Sequence, residues 1–294
     1  MKRILLGLFA LCGLTACGEP DTRPRTSVSV VIDLSTSWVN AFTAEESIED
    51  LVAHLGHGVA DVTERLPGPV DIRFYAITSE SMTEPILCHK VYQQSIVVSD
   101  PHGDPERSVF INDRYELVEH FKFDCPAKIA ARVESDRLKF EKSGGRDRIK
   151  TDIEGALVRV LEETRSINPD HSLTLMISDF VWEDEYLEID WSSRHAAGHN
   201  ILLFFRNTQT DPASNSNPYK TEDEWMARIE EWGFCARSVR DRSPVFTTVS
   251  AWLWQQYQTE KSGDNCLHPG NEIFPGSSFA SSAELSNSNL QNAN

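Results

Sequence analysis

The stretch Val28 to Ser37, VSVVIDLSTS, constrains the fold of this chain more than any other. A short run rich in Val and Ile predicts a buried strand. The run stops at Asp33 and gives way to two hydroxyls, Ser35 and Ser37. In an open α/β sheet, ligands bind just outside the carboxyl ends of such strands. Asp33, Ser35 and Ser37 are therefore expected to share one crevice, three oxygen donors on one tight loop. Hard cations such as magnesium take sites of this kind, rich in oxygen and poor in carboxylate.

Two later stretches belong with the first. Gly144-Gly145-Arg146-Asp147-Arg148-Ile149-Lys150-Thr151 opens into a helical pattern beginning Asp152-Ile153-Glu154-Gly155-Ala156-Leu157. A second apolar strand, Leu173 to Ile177, then runs into Ser178-Asp179. A strand end, a threonine at a helix start and another strand end follow in that order. The spacing from Thr151 to Asp179 fits one helix plus one strand. The pattern resembles the von Willebrand factor A (vWA) domain and its metal-ion-dependent adhesion site. The matching positions are Asp33, Ser35, Ser37, Thr151 and Asp179, and the likeness covers roughly 27–257 apart from an insertion.

The resemblance implies a three-layer, doubly wound α/β fold with a mostly parallel sheet flanked by helices. It implies a bound Mg2+, or Mn2+ or Ca2+ in its place. Ser35 and Ser37 would bind the metal directly, and Thr151 directly or through water. Asp33 and Asp179 would act largely through water and by orienting the hydroxyls. The open coordination position would take an Asp or Glu from a partner protein, a binding role and not an enzymatic one. Two positions depart from the pattern: Thr36 replaces a glycine between the serines, and Phe180 replaces the glycine common after the last aspartate. Neither supplies a ligand, although Phe180 at the rim would alter access to the metal.

The amino terminus has the layout of an export signal. Lys2-Arg3 precedes an apolar segment, Ile4 to Leu14, too short to span a bilayer. Leu14-Thr15-Ala16-Cys17 resembles the lipobox of bacterial lipoproteins. That likeness implies cleavage after residue 16, acyl chains including palmitate on Cys17, and, with Gly18 next, sorting to the outer membrane in enteric-type bacteria. Acyl chains anchor a protein without any transmembrane helix. Residues 17–26 form a polar tether, 27–258 the vWA-like domain and 259–294 a Gly/Ser/Asn-rich tail of disordered composition.

Within the domain, Thr43-Ala44-Glu45-Glu46 reads as a capping box for a helix burying Ile48, Leu51, Val52, Leu55, Val59 and Val62. His54 and His57 on that helix lack a cysteine or carboxylate partner and read as surface or packing histidines. Val70 to Ile77 alternates as a second strand. An insertion at about 79–127 follows, with a strand-like run from Ile86 to Val98. Residues 151–168 form a helix burying Ile153, Ala156, Leu157, Val160 and Leu161. A strand at 200–206 comes next, then a helix at 222–232 with Trp225, Met226, Ile229 and Trp232 inward, and an aromatic-rich segment at 244–257.

With Cys12 in the signal and Cys17 lipidated, Cys88, Cys125, Cys235 and Cys266 remain. An even number in an exported chain predicts two disulfides. Cys88–Cys125 and Cys235–Cys266 are the favoured pairs of three possible connectivities. The formal charge of −17 excludes a nucleic-acid partner, whose phosphates need a basic surface. The expected function is metal-dependent binding of another envelope or surface protein by a membrane-anchored lipoprotein. The alternatives are a metal-dependent hydrolase using the same crevice, and a structural envelope component whose metal is a staple or is lost.

Overall fold

The computed structural model describes residues 22–36, 39, 47–93, 116–146, 149–180, 189–191, 194, 196, 199–205, 222–239 and 249–261. Cys17, Ser37, Cys266, most of the tether and almost all of the tail lie outside that set, as do residues 94–115 of the insertion.

Six strands form one sheet in the order β3-β2-β1-β4-β5-β6. They are β1 (Thr26–Asp33), β2 (Val70–Ile77), β3 (Cys88–Tyr92), β4 (His171–Ser178), β5 (Asn200–Phe205) and β6 (Cys235–Val239). All neighbours pair in parallel except β3, which runs antiparallel to β2 at one edge. The chain is α/β, with a mostly parallel sheet covered on both faces. Parallel sheets need such cover, because crossover helices lie over each face.

All eight residues of β1 are buried. It lies between β2 and β4, so both backbone edges are paired. On one face Val28, Val30 and Ile32 meet helix α1 (Ile48–Thr63), helix α2 (Cys125–Lys142) and helix α5 (Val249–Lys261). On the other face Val31, Tyr75 and Met176 meet helix α3 (Ile153–Ile167) and helix α4 (Glu222–Glu231). The strand order reverses around β1: the chain winds outward to β2 and β3, then crosses back to β4. In doubly wound sheets that reversal is where a ligand crevice opens.

The periodic residues of α1 and α3 are all buried as their spacing predicted, while Met226 of α4 is only half-buried. The start of α1 differs from expectation. Ser47, in extended conformation, is the cap, its hydroxyl accepting from the Asp50 amide at 3.0 Å. Ser47 and Asp50 thus do what Thr43 and Glu46 were expected to do, one turn later. Thr43 and Glu46 lie outside the described residues.

The region after β2 joins the layers. β3 extends the sheet and is shorter than the Ile86–Val98 run. A π-helix, His120–Asp124, leads directly into α2, and a disulfide ties Cys88 of β3 to Cys125 at the start of α2. Cys235 is also disulfide-bonded. Strand β6 was not foreseen from the sequence. Among the described residues, no helix is long and apolar enough to cross a membrane.

Candidate metal centre

Asp33 ends β1 and Asp179 directly follows β4, so both sit at the carboxyl edge of adjacent strands. Asp33 is fully buried. One carboxylate oxygen accepts from the Ser35 amide at 2.8 Å, and the other accepts from the Ser178 hydroxyl at 2.5 Å. Burial, reinforced by the negative charge of Asp179, pushes the Asp33 carboxyl up to about 7 despite these donors. Two carboxylates facing one crevice without a cation oppose each other's ionisation.

Ser35 is fully buried, and Val39 donates to its carbonyl at 3.0 Å. Thr36 clasps the next loop. Its amide donates to the Ile149 carbonyl and its hydroxyl accepts from the Ile149 amide, both at 2.9 Å. Asp152 caps α3, accepting from the Gly155 amide at 2.8 Å, while its own amide donates to the Thr78 carbonyl at 3.2 Å. A side chain at Gly155 would collide with that cap, its Cβ lying 2.0 Å from an Asp152 carboxylate oxygen. Leu34 donates to the Ile77 carbonyl at 3.0 Å, closing the set of loops above β1, β2 and α3.

Thr151 stands between Ile149 and the cap. Its side chain is fully buried and, like those of Thr26, Ser27, Ser29 and Thr164, its hydroxyl has no hydrogen-bond partner among the described residues. A buried hydroxyl left unpaired is costly, and Thr151 differs from the others in lying at the carboxyl edge beside Asp33 and Asp179. An oxygen-seeking cation would supply the missing partner and offset the paired carboxylates. The donors present therefore fit a hard divalent ion. Among the described residues, no three His, Cys, Asp or Glu side chains cluster well enough to hold a metal by themselves. The candidate set holds two carboxylates, and its other donors are hydroxyls.

Of the five residues expected to hold a metal, Asp33, Ser35, Thr151 and Asp179 lie on the strand ends and loops at this edge, and Ser37 lies outside the described residues. Ser178, not among them, bridges Asp33 and the Phe180 amide through its hydroxyl. A serine closing a strand next to an aspartate was the only available signal. Phe180 is not at the rim. Its backbone adopts φ 56°, the left-handed conformation that a glycine takes easily, and its ring is buried against Trp225 with centroids 5.7 Å apart.

Helix α3 also carries a buried acid, Glu154, one of whose oxygens has no partner among the described residues. Burial raises its carboxyl to about 7. His199 precedes β5, whose first residue pairs with Leu173, and hydrogen-bonds Thr174 in the middle of β4, so it lies away from the carboxyl strand ends where Asp33 sits. It supplies no general base to the crevice. His54 and His57 are exposed on α1.

No family model matches the sequence, and no curated protein matches it. Among solved structures, the chain is similar to the PilB minor pilin from Streptococcus sanguinis, with a TM-score of 0.38 and 13% identity. The match covers 84% of this chain and 63% of the pilin, less than two thirds of the pilin's length.

Proposed function

We propose that this chain is a vWA-type domain on a lipid-anchored envelope protein, and that it binds another protein through a divalent cation. The residues holding the cation would be Asp33, Ser35, Thr151 and Asp179, joined by Ser37 on the strength of the sequence pattern. The observation carrying this reading is the pair of carboxylates Asp33 and Asp179 at the ends of adjacent strands, with the buried Thr151 hydroxyl, unpaired among the described residues, at the same sheet edge.

The chain's own residues divide the work. Ser35 and Ser178 hold the Asp33 carboxylate from two sides. The Thr36–Ile149 clasp fixes the first loop against the segment that delivers Thr151. Helix α3 begins beside Thr151, and its amino-terminal dipole favours an arriving carboxylate. When bound, the cation supplies an open coordination position for an Asp or Glu of the partner. The lipid on Cys17 and an outer-membrane location rest on the lipobox-like sequence.

Calorimetric titration of a soluble chain starting after Cys17, with magnesium and manganese, tests the reading beside Asp33→Ala and Thr151→Ala. Binding by the native protein that disappears in both variants, while their far-UV circular dichroism stays native, is the expected result. An absence of heat from the native chain with either metal overturns the proposal.

A further inference from the structure

The candidate cation site and the proposed anchor lie at opposite ends of one strand. Asp33 closes β1 at the carboxyl edge of the sheet, and the crevice loops stand on that edge. The chain enters β1 at the other edge and is pinned there before the strand begins. The Arg25 amide donates to the Asp170 carboxylate at 2.7 Å, and the Arg25 carbonyl accepts from the amides of Asp170 and His171 at 2.8 and 3.2 Å. Arg23 and Pro24 lie against the turn before β2. A Cβ on Gly68 would come within 2.5 Å of the Pro24 carbonyl oxygen and 2.9 Å of the Arg23 Cβ. Residues 23–25 therefore belong to the folded domain, although their composition groups them with the tether.

Only residues 18–22 separate Cys17 from Arg23. Whatever their conformation, such a stretch spans at most about 22 Å. The eight residues of β1 alone rise about 26 Å, and the loops carrying Ser35 and Thr151 lie beyond its end. For the cation edge to face the bilayer, Arg23 would have to stand at least that strand's length above the headgroups. The tether is too short for that. Charge favours the same orientation. Arg25, Arg65 and Arg165 are exposed at the amino edge, beside the acids Glu64 and Asp170. Arg65 precedes the turn into β2, and Arg165 is in the last turn of α3, where Arg25 reaches the Ile167 carbonyl at 3.5 Å. Anionic headgroups attract exposed arginines and repel the acidic remainder of a chain of −17.

We infer that the domain stands on its anchor with the amino edge of the sheet toward the membrane and the cation edge toward the aqueous space beyond. The partner is then a protein that offers its Asp or Glu from the aqueous side, at least about 26 Å off the anchoring leaflet, and not one whose acidic group lies at the surface of that leaflet. The inference rests on the proposed lipid on Cys17 and the proposed cation site, and adds the direction from which the partner arrives.

The test uses the full chain, produced in a bacterial host that acylates lipoproteins and reconstituted in phosphatidylethanolamine–phosphatidylglycerol vesicles containing a rhodamine-headgroup lipid. Ser79→Cys, just past β2 at the carboxyl edge, and Ser166→Cys, in the last turn of α3 at the amino edge, each place an exposed thiol for a donor dye. The described cysteines are all in disulfides and do not compete for the label. Circular dichroism checks that both variants remain folded. The expected result is energy transfer to the membrane at least about twofold stronger from Ser166→Cys than from Ser79→Cys, because the two labels differ in height by about the length of the strand. Equal transfer from the two positions, or stronger transfer from Ser79→Cys, overturns the inference. A full chain that does not stay with the vesicles also overturns it by removing the anchor, and leaves the cation reading to the calorimetric titration, which uses the soluble chain. The expected transfer beside an absence of heat in that titration keeps the orientation and removes the cation reading.

Discussion

Phe180 holds a left-handed backbone with φ 56° while its ring is fully buried against Trp225. Left-handed geometry costs a side-chain-bearing residue about 1–2 kcal/mol, whereas removing a buried phenyl ring costs about 3–5 kcal/mol. Phe180→Gly is therefore expected to destabilise the fold by roughly 2 kcal/mol net, read from urea unfolding. Glu154 yields a pH prediction. With its carboxyl at about 7 in the folded chain against an ordinary value of 4.5, the folded state binds the extra proton between those limits. Stability contributed by Glu154 is therefore present at low pH and is lost as pH rises toward and through 7. Glu154→Gln removes that slope, so the variant should gain roughly 1–3 kcal/mol relative to the native protein between pH 5 and pH 8. His199, lowered to about 4 by burial, works in the opposite sense, losing stability as pH falls from about 6.5. It is common to both proteins and cancels in the comparison. At this scale the sequence displayed Asp33, Ser35, Thr151 and Asp179, because strand ends and a helix start declare themselves locally. Ser178 and Thr36 were not legible as positioning residues, since their partners lie 145 and 113 positions away.

Among the elements, α1 and the π-helix approach closely at Gly56. A Cβ on Gly56 would lie 2.3 Å from the Phe121 carbonyl oxygen, which is backbone and cannot swing aside. Gly56→Ala should force the π-helix and α2 away from α1 and cost about 1–3 kcal/mol, read from urea unfolding. Reduction of Cys88–Cys125, or the Cys88→Ser/Cys125→Ser pair, removes a closure spanning 37 positions and should cost about 2–4 kcal/mol by the same measurement. The helices α1 and α3 were legible because their periodic apolar residues point at one core face, and the central strands because burial on both faces makes them nearly continuous apolar runs. Strand β6 was not: as CARSV it lies at an edge, paired only with β5 among the described strands, and Arg237 and Ser238 break the apolar pattern. The cap of α1 was misplaced because Thr43-x-x-Glu46 and Ser47-x-x-Asp50 are both plausible cap pairs in sequence. The structure shows that the second starts the helix.

For the molecule as a whole, a cation that binds only the folded chain must stabilise it. Magnesium at 100 times its dissociation constant should add about 2.7 kcal/mol, raising the melting temperature by several degrees, and Asp33→Ala should show no such rise. Thermal unfolding followed by circular dichroism checks both. The sheet order could be anticipated only as doubly wound, because strand neighbours far apart in the chain leave no local mark. That distance also sets an order of events in time. Asp33 is held by Ser178, and the Thr36 clasp reaches Ile149, so neither contact can form until β4 and the start of α3 have joined β1. Closing loops of this length is slow beside forming a helix, and the early half of an emerging chain has nothing to close onto. The crevice thus cannot close before β4 has joined β1, and its hydrogen bonds report that the two halves of the sheet have met.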